Sequence, residues 1–333
     1  GLAIGTSSNS KSNQSIAIGY ASSAQAPGAN PENPATAVGA GANANGVGAV
    51  ALGLSANATG ANAVALGGGS NGGTNKTEAT GTRATAISFN ANATVASDEK
   101  AIAIGSDSKA TYVGTTALGR SSAATGASAT ALGSLASATG TLATAVGMQA
   151  SASGNESLAI GTTASATSGR SLAVGTNSKA TGATAVAVGS GSGGSGPLGF
   201  AGSLNSTAGV VNTNRTVNYA TTAEGDNAVA LGFYANAKNS GVAVGQRALA
   251  ATGGVAIGKG VLEDTGNNYA GGVVIGQDSA TLGPYSLAMG FNAFASGSTS
   301  MAIGHTVSAD GGFAVAMGRK VSASGTSTAI GHH

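Results

Sequence analysis

Aliphatic and small residues alternate along this chain in a five-residue unit: a small or polar residue, an aliphatic, Ala, an aliphatic, then Gly. Ser15-Ile16-Ala17-Ile18-Gly19 is one copy. With the Gly as anchor, copies end at 5, 19, 39, 53, 67, 105, 119, 133, 147, 161, 175, 189, 232, 245, 258, 276, 290, 304, 318 and 331, and a degenerate copy ends in Ser88. That makes twenty-one copies, and twelve of the twenty intervals between anchors are 14 residues, so the chain reads as a repeat architecture before any globular one. Aliphatic, Ala, aliphatic is a period of two and predicts a short β-strand with two distinct faces. Ala alone would favour helix. A second Gly seven residues after many anchors, as at Gly46, Gly60, Gly126, Gly140 and Gly297, argues against helix and is expected to serve turns that need positive φ.

Each 14-residue unit is then a coil of two strands and two turns. In its second half, small residues recur three and five positions after the anchor, as in Ala56 and Ala58 or Ala150 and Ala152. Stacked about 4.8 Å apart, such coils make two parallel sheets back to back, a thin β-roll about 100 Å long. If the sheets face each other at about 10 Å, a large side chain should oppose a small one. That places the aliphatics one and three before the anchor (Ile16 and Ile18, Val64 and Leu66) inside, against the Ala pairs of the second strand. The Ala two before the anchor, as in Ala17 and Ala65, then forms an outer stripe too long and regular to stay wet, which predicts a trimer around a long axis. The opposite assignment, aliphatics toward the trimer axis and Ala inside, stays open.

The organisation follows from the intervals. Residues 1–189 carry roll repeats, with insertions near 20–35, where Pro27, Pro31 and Pro34 fall, and near 68–82. Residues 190–226 hold a Gly/Ser-rich insertion, in which Val210-Val211 and Thr216 to Tyr219 flank Asn212 to Arg215 as a β-hairpin. Residues 227–333 continue the roll. Both ends fall partway through a repeat, so the chain is expected to be a piece of a longer protein whose anchor lies outside it. The terminal His332 and His333 read equally as native or as a tag remnant.

Composition narrows the function. Charged residues are 8% and aromatics 4%, with 57 Gly and no Cys, which removes disulfides and thiolate chemistry. The 14 basic and 12 acidic side chains are scattered, so no nucleic-acid footprint is read. Gly189 to Gly194 fits G-x-G-x-x-G, but Pro197 follows where a helix should, and the run reads as a linker. The acidic pairs Asp98-Glu99 and Glu263-Asp264 read as solvated turn charges, and His305 as a surface residue without a nucleophile nearby. Neither catalytic nor metal-binding residues, nor a cofactor site, are therefore expected. Of the twelve aromatics, nine follow residue 199. Phe233, Tyr234, Phe291 and Phe294 stand at or near the turn after an anchor, where they are candidate ligand contacts or, on the plainer reading, packing for irregular coils.

The pentad resembles the head repeats of trimeric autotransporter adhesins of the YadA type, close to Asn-Ser-Val-Ala-Ile-Gly in units of about 14 residues. Gln14-Ser-Ile-Ala-Ile-Gly19, Asn62-Ala-Val-Ala-Leu-Gly67, Glu156-Ser-Leu-Ala-Ile-Gly161, Asn227-Ala-Val-Ala-Leu-Gly232 and Tyr285-Ser-Leu-Ala-Met-Gly290 carry the likeness. The resemblance implies an all-β, left-handed parallel β-roll, an elongated homotrimer, and a non-enzymatic adhesive head at the bacterial outer surface, carried on a coiled-coil stalk. Its partners would be host matrix proteins, cells, other bacteria or abiotic surfaces. An ice- or crystal-binding solenoid is the alternative, but the row after the anchor (Thr6, Tyr20, Ala40, Leu54, Ser106, Arg120) is too mixed for lattice matching.

Overall fold

In the computed structural model, residues 1–25, 34–69, 75–95, 100–191, 195–197, 216–218, 220–263 and 271–332 are described. The chain divides into two units, Gly1–Ala159 and Ile160–His333. No helix occurs among the described residues.

In the first unit the three residues before each anchor form one strand, for example Ile16–Ile18, Val50–Leu52 and Thr130–Leu132. The second half of each coil supplies a two-residue strand such as Asn43–Ala44 or Ser137–Ala138. Both strands pair in parallel, each with the same strand of the next coil. The Ala two before the anchor stays in register throughout: Ala3, Ala17, Ala37, Ala51, Ala65, Ala86, Ala103, Ala117, Ala131 and Ala145. Asn9, Ser23, Asn43, Asn57, Glu78, Asn92 and Lys109 form the matching file on the second strand. This is a parallel β-solenoid of 14-residue coils, as the spacing predicts.

The second unit repeats the plan across the long interruption without loss of register. Lys179 pairs with Thr222, and Val186 with Val229. Toward the end the strands lengthen, and Leu287–Ala295 and Met301–Ala309 run without a break from the first strand through the anchor corner into the second. From the insertion, Ser195–Pro197 pairs antiparallel with Thr216–Asn218. Val210-Val211 and the Asn212 to Arg215 turn lie outside the described residues.

The faces are the reverse of the preferred sequence reading. Between the two end coils the Ala residues two before the anchor point inward and are fully buried, as are Ala56, Ala58 and their equivalents on the second strand. The position four before the anchor, filled by Ala49, Ala63 or Ala143, is also inside. The aliphatics face out: Ile16 is 36% exposed, Leu52 38% and Leu118 45%. Opposing large and small residues presupposed sheets about 10 Å apart. With small side chains on both inner faces the sheets draw closer, and a jigsaw of Ala, Ser and Thr fills the interior. Where Ser or Thr replaces Ala four before the anchor, its hydroxyl donates to the carbonyl three residues earlier. Ser157 bonds Gly154 at 2.6 Å and Ser286 bonds Gly283 at 2.6 Å, so the buried hydroxyls at this position are satisfied.

The turns differ from expectation in part. The anchor glycines do take positive φ (Gly53, φ 126°; Gly133, φ 131°), and so do non-glycine residues two after the anchor (Ser55, φ 55°; Leu135, φ 60°) and five before the next (Asn62, φ 54°; Leu142, φ 58°). The Gly seven after the anchor serves close approach instead: a Cβ on Gly140 would sit 2.1 Å from the Gly154 carbonyl oxygen.

Candidate functional surface

The interior of the described coils is filled by small side chains, so the surfaces that the repeat presents are the outer faces of its strands and turns. Three surfaces arise from the repeat. The first is the outer face of the first strand, two files of Ile, Val, Leu, Met and Thr, the file next to the anchor being aliphatic in every copy. In the second unit the equivalent face carries Val186, Val229, Val242, Val255, Val273, Leu287, Met301 and Val315 in parallel register.

The second surface is the outer file of the second strand. It is polar through most of the chain, and Asn43 donates to the Asn57 side chain along it at 2.9 Å. From Leu249 it turns apolar, and Leu249, Leu262, Ala280 and Phe294 form a buried cluster with Leu282 against it. Phe294 is thus 9% exposed, removed from the turn where the sequence placed it.

Beside this cluster the interior rule breaks once. Glu263 occupies an inward position, between Ala250 and Thr281 in register, and is fully buried. Its Oε2 accepts from the Ala251 N–H at 2.7 Å. The carboxylate fits because Gly254 and Gly272 stand where most other coils have Ala, Ser or Thr; a Cβ on Gly254 would meet Oε2 at 1.9 Å. Glu263 is therefore not the solvated turn charge expected from sequence. The one available signal was the run of Gly residues four before three successive anchors, Gly241, Gly254 and Gly272. Asp98, Glu99 and Asp264 lie outside the described residues.

The third surface is the anchor corner, made by the residues one and two after the anchor. Phe233 and Tyr234 occupy it together, ring centroids 3.8 Å apart. Phe291, 40% exposed, stacks on His305 of the next coil with centroids 5.0 Å apart and planes 23° apart. The two aromatic pairs stand on different coils and do not converge. In the first unit Asn90 Nδ2 donates to Asp107 Oδ1 at 2.7 Å and Ser106 Oγ to Oδ2 at 3.1 Å, holding this carboxyl below its ordinary pKa. Among the described residues no three His, Asp or Glu side chains are placed to hold a metal ion, and no helix is long and apolar enough to cross a membrane.

The sequence profile of the family described as YadA head domain repeat (2 copies) matches residues 1–22, 34–55, 44–70, 113–136, 138–164, 166–192, 219–235, 223–248, 270–293 and 295–320. No match is found among curated proteins.

Proposed function

Because this chain belongs to the YadA head repeat family, a bacterial cell-surface adhesion family without enzymatic activity, we propose that it is the head of a trimeric adhesin, in which three left-handed rolls associate side by side and present repeated weak contacts to a surface. The observation that carries this reading is the aliphatic face. A file of half-exposed Ile, Val, Leu and Met next to the anchor, beside a second file of aliphatics and Thr, is a surface that a soluble monomer avoids, and its regular repeat suits an identical face. If association buries the equivalent of one further methylene per coil, at about 0.8 kcal/mol each, about ten coils contribute about 8 kcal/mol before the cost of association. The Ala stripe assigned to that interface from sequence is spent on the interior.

Three copies of a many-coiled head give multivalency, so useful avidity needs no deep pocket. The attachment targets proposed are matrix proteins, cells and abiotic surfaces, with a stalk and membrane anchor beyond this chain. Sedimentation equilibrium of the chain tests the assembly, which should run at three times 30.9 kDa. A stable monomer at micromolar concentration would overturn it. Beads coated with the chain should attach to at least one of the three surface classes.

A further inference from the structure

The basic side chains look scattered along the sequence, yet the parallel register of the second unit collects four of them on one corner. One after the anchor, Lys259, Gln277, Phe291, His305 and Arg319 stand in a single file. Two after the anchor runs a second file containing Arg247, Asn292, Thr306 and Lys320, in the left-handed conformation at each of these residues. The files are laced by backbone bonds: Arg247 N–H donates to the Phe233 carbonyl, Asp278 N–H to Lys259, and Lys320 N–H to His305. From Arg247 to Lys320 the corner advances five coils, about 24 Å at about 4.8 Å per coil. Lys259, Arg319, Lys320 and Arg247 are exposed. The one acid on this corner among the described residues is Asp278, whereas Glu224, Asp226 and Asp310 fall on the far half of their coils. Arg170, Lys179 and Lys238 share that far half, so what sets the corner apart is its excess of four cations over one acid. So many cations cannot be buried between protomers without a large desolvation cost, which keeps this corner outside the aliphatic interface.

We propose that this corner is a binding track for an extended acidic polysaccharide, a sulfated or carboxylated glycan chain. This takes the surface role proposed above and names the class of partner. Three features select the ligand. The cations recur along a line, not in a cluster, so the fitting anion is a polymer, whose charges meet Arg247, Lys259, Arg319 and Lys320 in turn. Between them stand Gln277, Asn292 and Thr306, neutral groups that donate to and accept from hydroxyls. At the middle, the stacked Phe291 and His305 give a flat aromatic step on which a sugar ring can lie. Except for the half-buried Asn292, each contact is exposed; each is individually weak, and repetition over three chains supplies the avidity.

The test uses the full chain, a heparin oligosaccharide as the sulfated probe, dextran as the neutral one, and a single-stranded oligonucleotide of equal charge as a rival polyanion. Heparin should bind at about 0.15 M salt, the physiological ionic strength, and be released as salt rises, and dextran should not bind. The Arg319→Ser/Lys320→Asn variant should weaken heparin binding about tenfold or more, and Phe291→Ala several-fold, on charge-assisted contacts and stacking of the usual size. Asn is chosen at 320 because it tolerates the left-handed φ of 54° there. Arg120→Ser, on the first unit's corner, should leave binding unchanged. Heparin binding that survives Arg319→Ser/Lys320→Asn with unchanged thermal stability overturns the site, as does no heparin binding at all. An oligonucleotide that binds more tightly than heparin through the same residues overturns the glycan class. Bead attachment is scored separately: attachment without heparin binding sinks the track and leaves the adhesin reading, and heparin binding without attachment does the reverse.

Discussion

At the scale of single residues, this fold is set less by what side chains add than by where they must be missing. Gly133 has φ 131°, and a Cβ there would stand 2.5 Å from the carbonyl oxygen of Gly147 in the next coil. Gly133→Ala should therefore cost about 3 kcal/mol, combining backbone strain with overlap. Ser88 is the natural experiment at the same position: it sits at φ 104°, outside the ordinary range for a side-chain-bearing residue. Ser88→Gly should stabilise its coil by about 1 kcal/mol, read as slower amide exchange at Leu66 to Ser88, because a long repeat array need not unfold in one step. Faster exchange would refute the strain. Glu263 permits a sharper test. Gly254→Ala drives a methyl into its carboxylate and should destabilise by about 2 kcal/mol, whereas Gly254→Ala combined with Glu263→Ala restores the ordinary inward pattern and should lose less than Gly254→Ala alone. None of this was readable from composition. The anchors were legible because Gly recurs at fixed spacing, but a turn's φ was not, since residues as unlike as Leu135, Thr184 and Tyr234 all take it.

At the scale of the strand, the 14-residue spacing makes the pairing legible from the sequence alone. In a solenoid whose coils match in length, sequence period and sheet register are the same quantity, and Ala117 to Ala131 to Ala145 follows from counting. The face was not legible, because a period of two separates two sides without saying which one points in. That depends on sheet separation, which the turns and the smallest inward residues set together. The reversed assignment gives opposite expectations for neighbours in one strand. Ala131→Val should overpack the interior by about 1–3 kcal/mol and unravel its coil. Leu118→Ser with Leu132→Ser, one position further on, should leave circular dichroism and thermal stability of the monomer nearly unchanged and weaken self-association. If instead the Val variant is tolerated and the Ser variant unfolds the chain, the assignment of faces is wrong. Phe294 went astray for a simpler reason: the residue four after the anchor belongs to the outer file of the second strand in each uninterrupted coil, not to the turn, and in this stretch Leu249 and Leu262 already make that file apolar.

At the scale of the molecule, the insertions show how a repeat tolerates interruption. Gly191 keeps its place two after the anchor, its N–H donating to the Thr176 carbonyl at 2.8 Å, and Thr221 takes the place three after it, its hydroxyl donating to Gly232 O at 2.7 Å. Thr77 resumes the coil after the earlier interruption in the same manner, donating to Ser88 O at 2.6 Å. Both excursions thus leave the coil between the same two positions, at the anchor corner, and return to the same register. The interval from Gly189 to Gly232 is 43 residues, and removing 192–220, which is 29 residues, leaves 43 − 29 = 14, one ordinary coil. The expectation is specific: a chain lacking 192–220 should fold, assemble as the full chain does, and match its thermal stability to within about 1 kcal/mol, since Lys179 pairs Thr222 and Val186 pairs Val229 directly in its absence. Deletions one residue longer or shorter, taken at this corner, should be less stable, because the slip falls before the second strand and exchanges its inner and outer faces; the 13-residue coil from Gly232 to Gly245 loses its residue at the other turn, after Asn236–Ala237, and Ala230 still pairs with Ala243. Equal stability across the three deletions would mean that the coils do not enforce the register. With the shorter head in hand, bead attachment separates the two places adhesion can reside: retained attachment assigns it to the repeated surface of the roll, and its loss to the excursion.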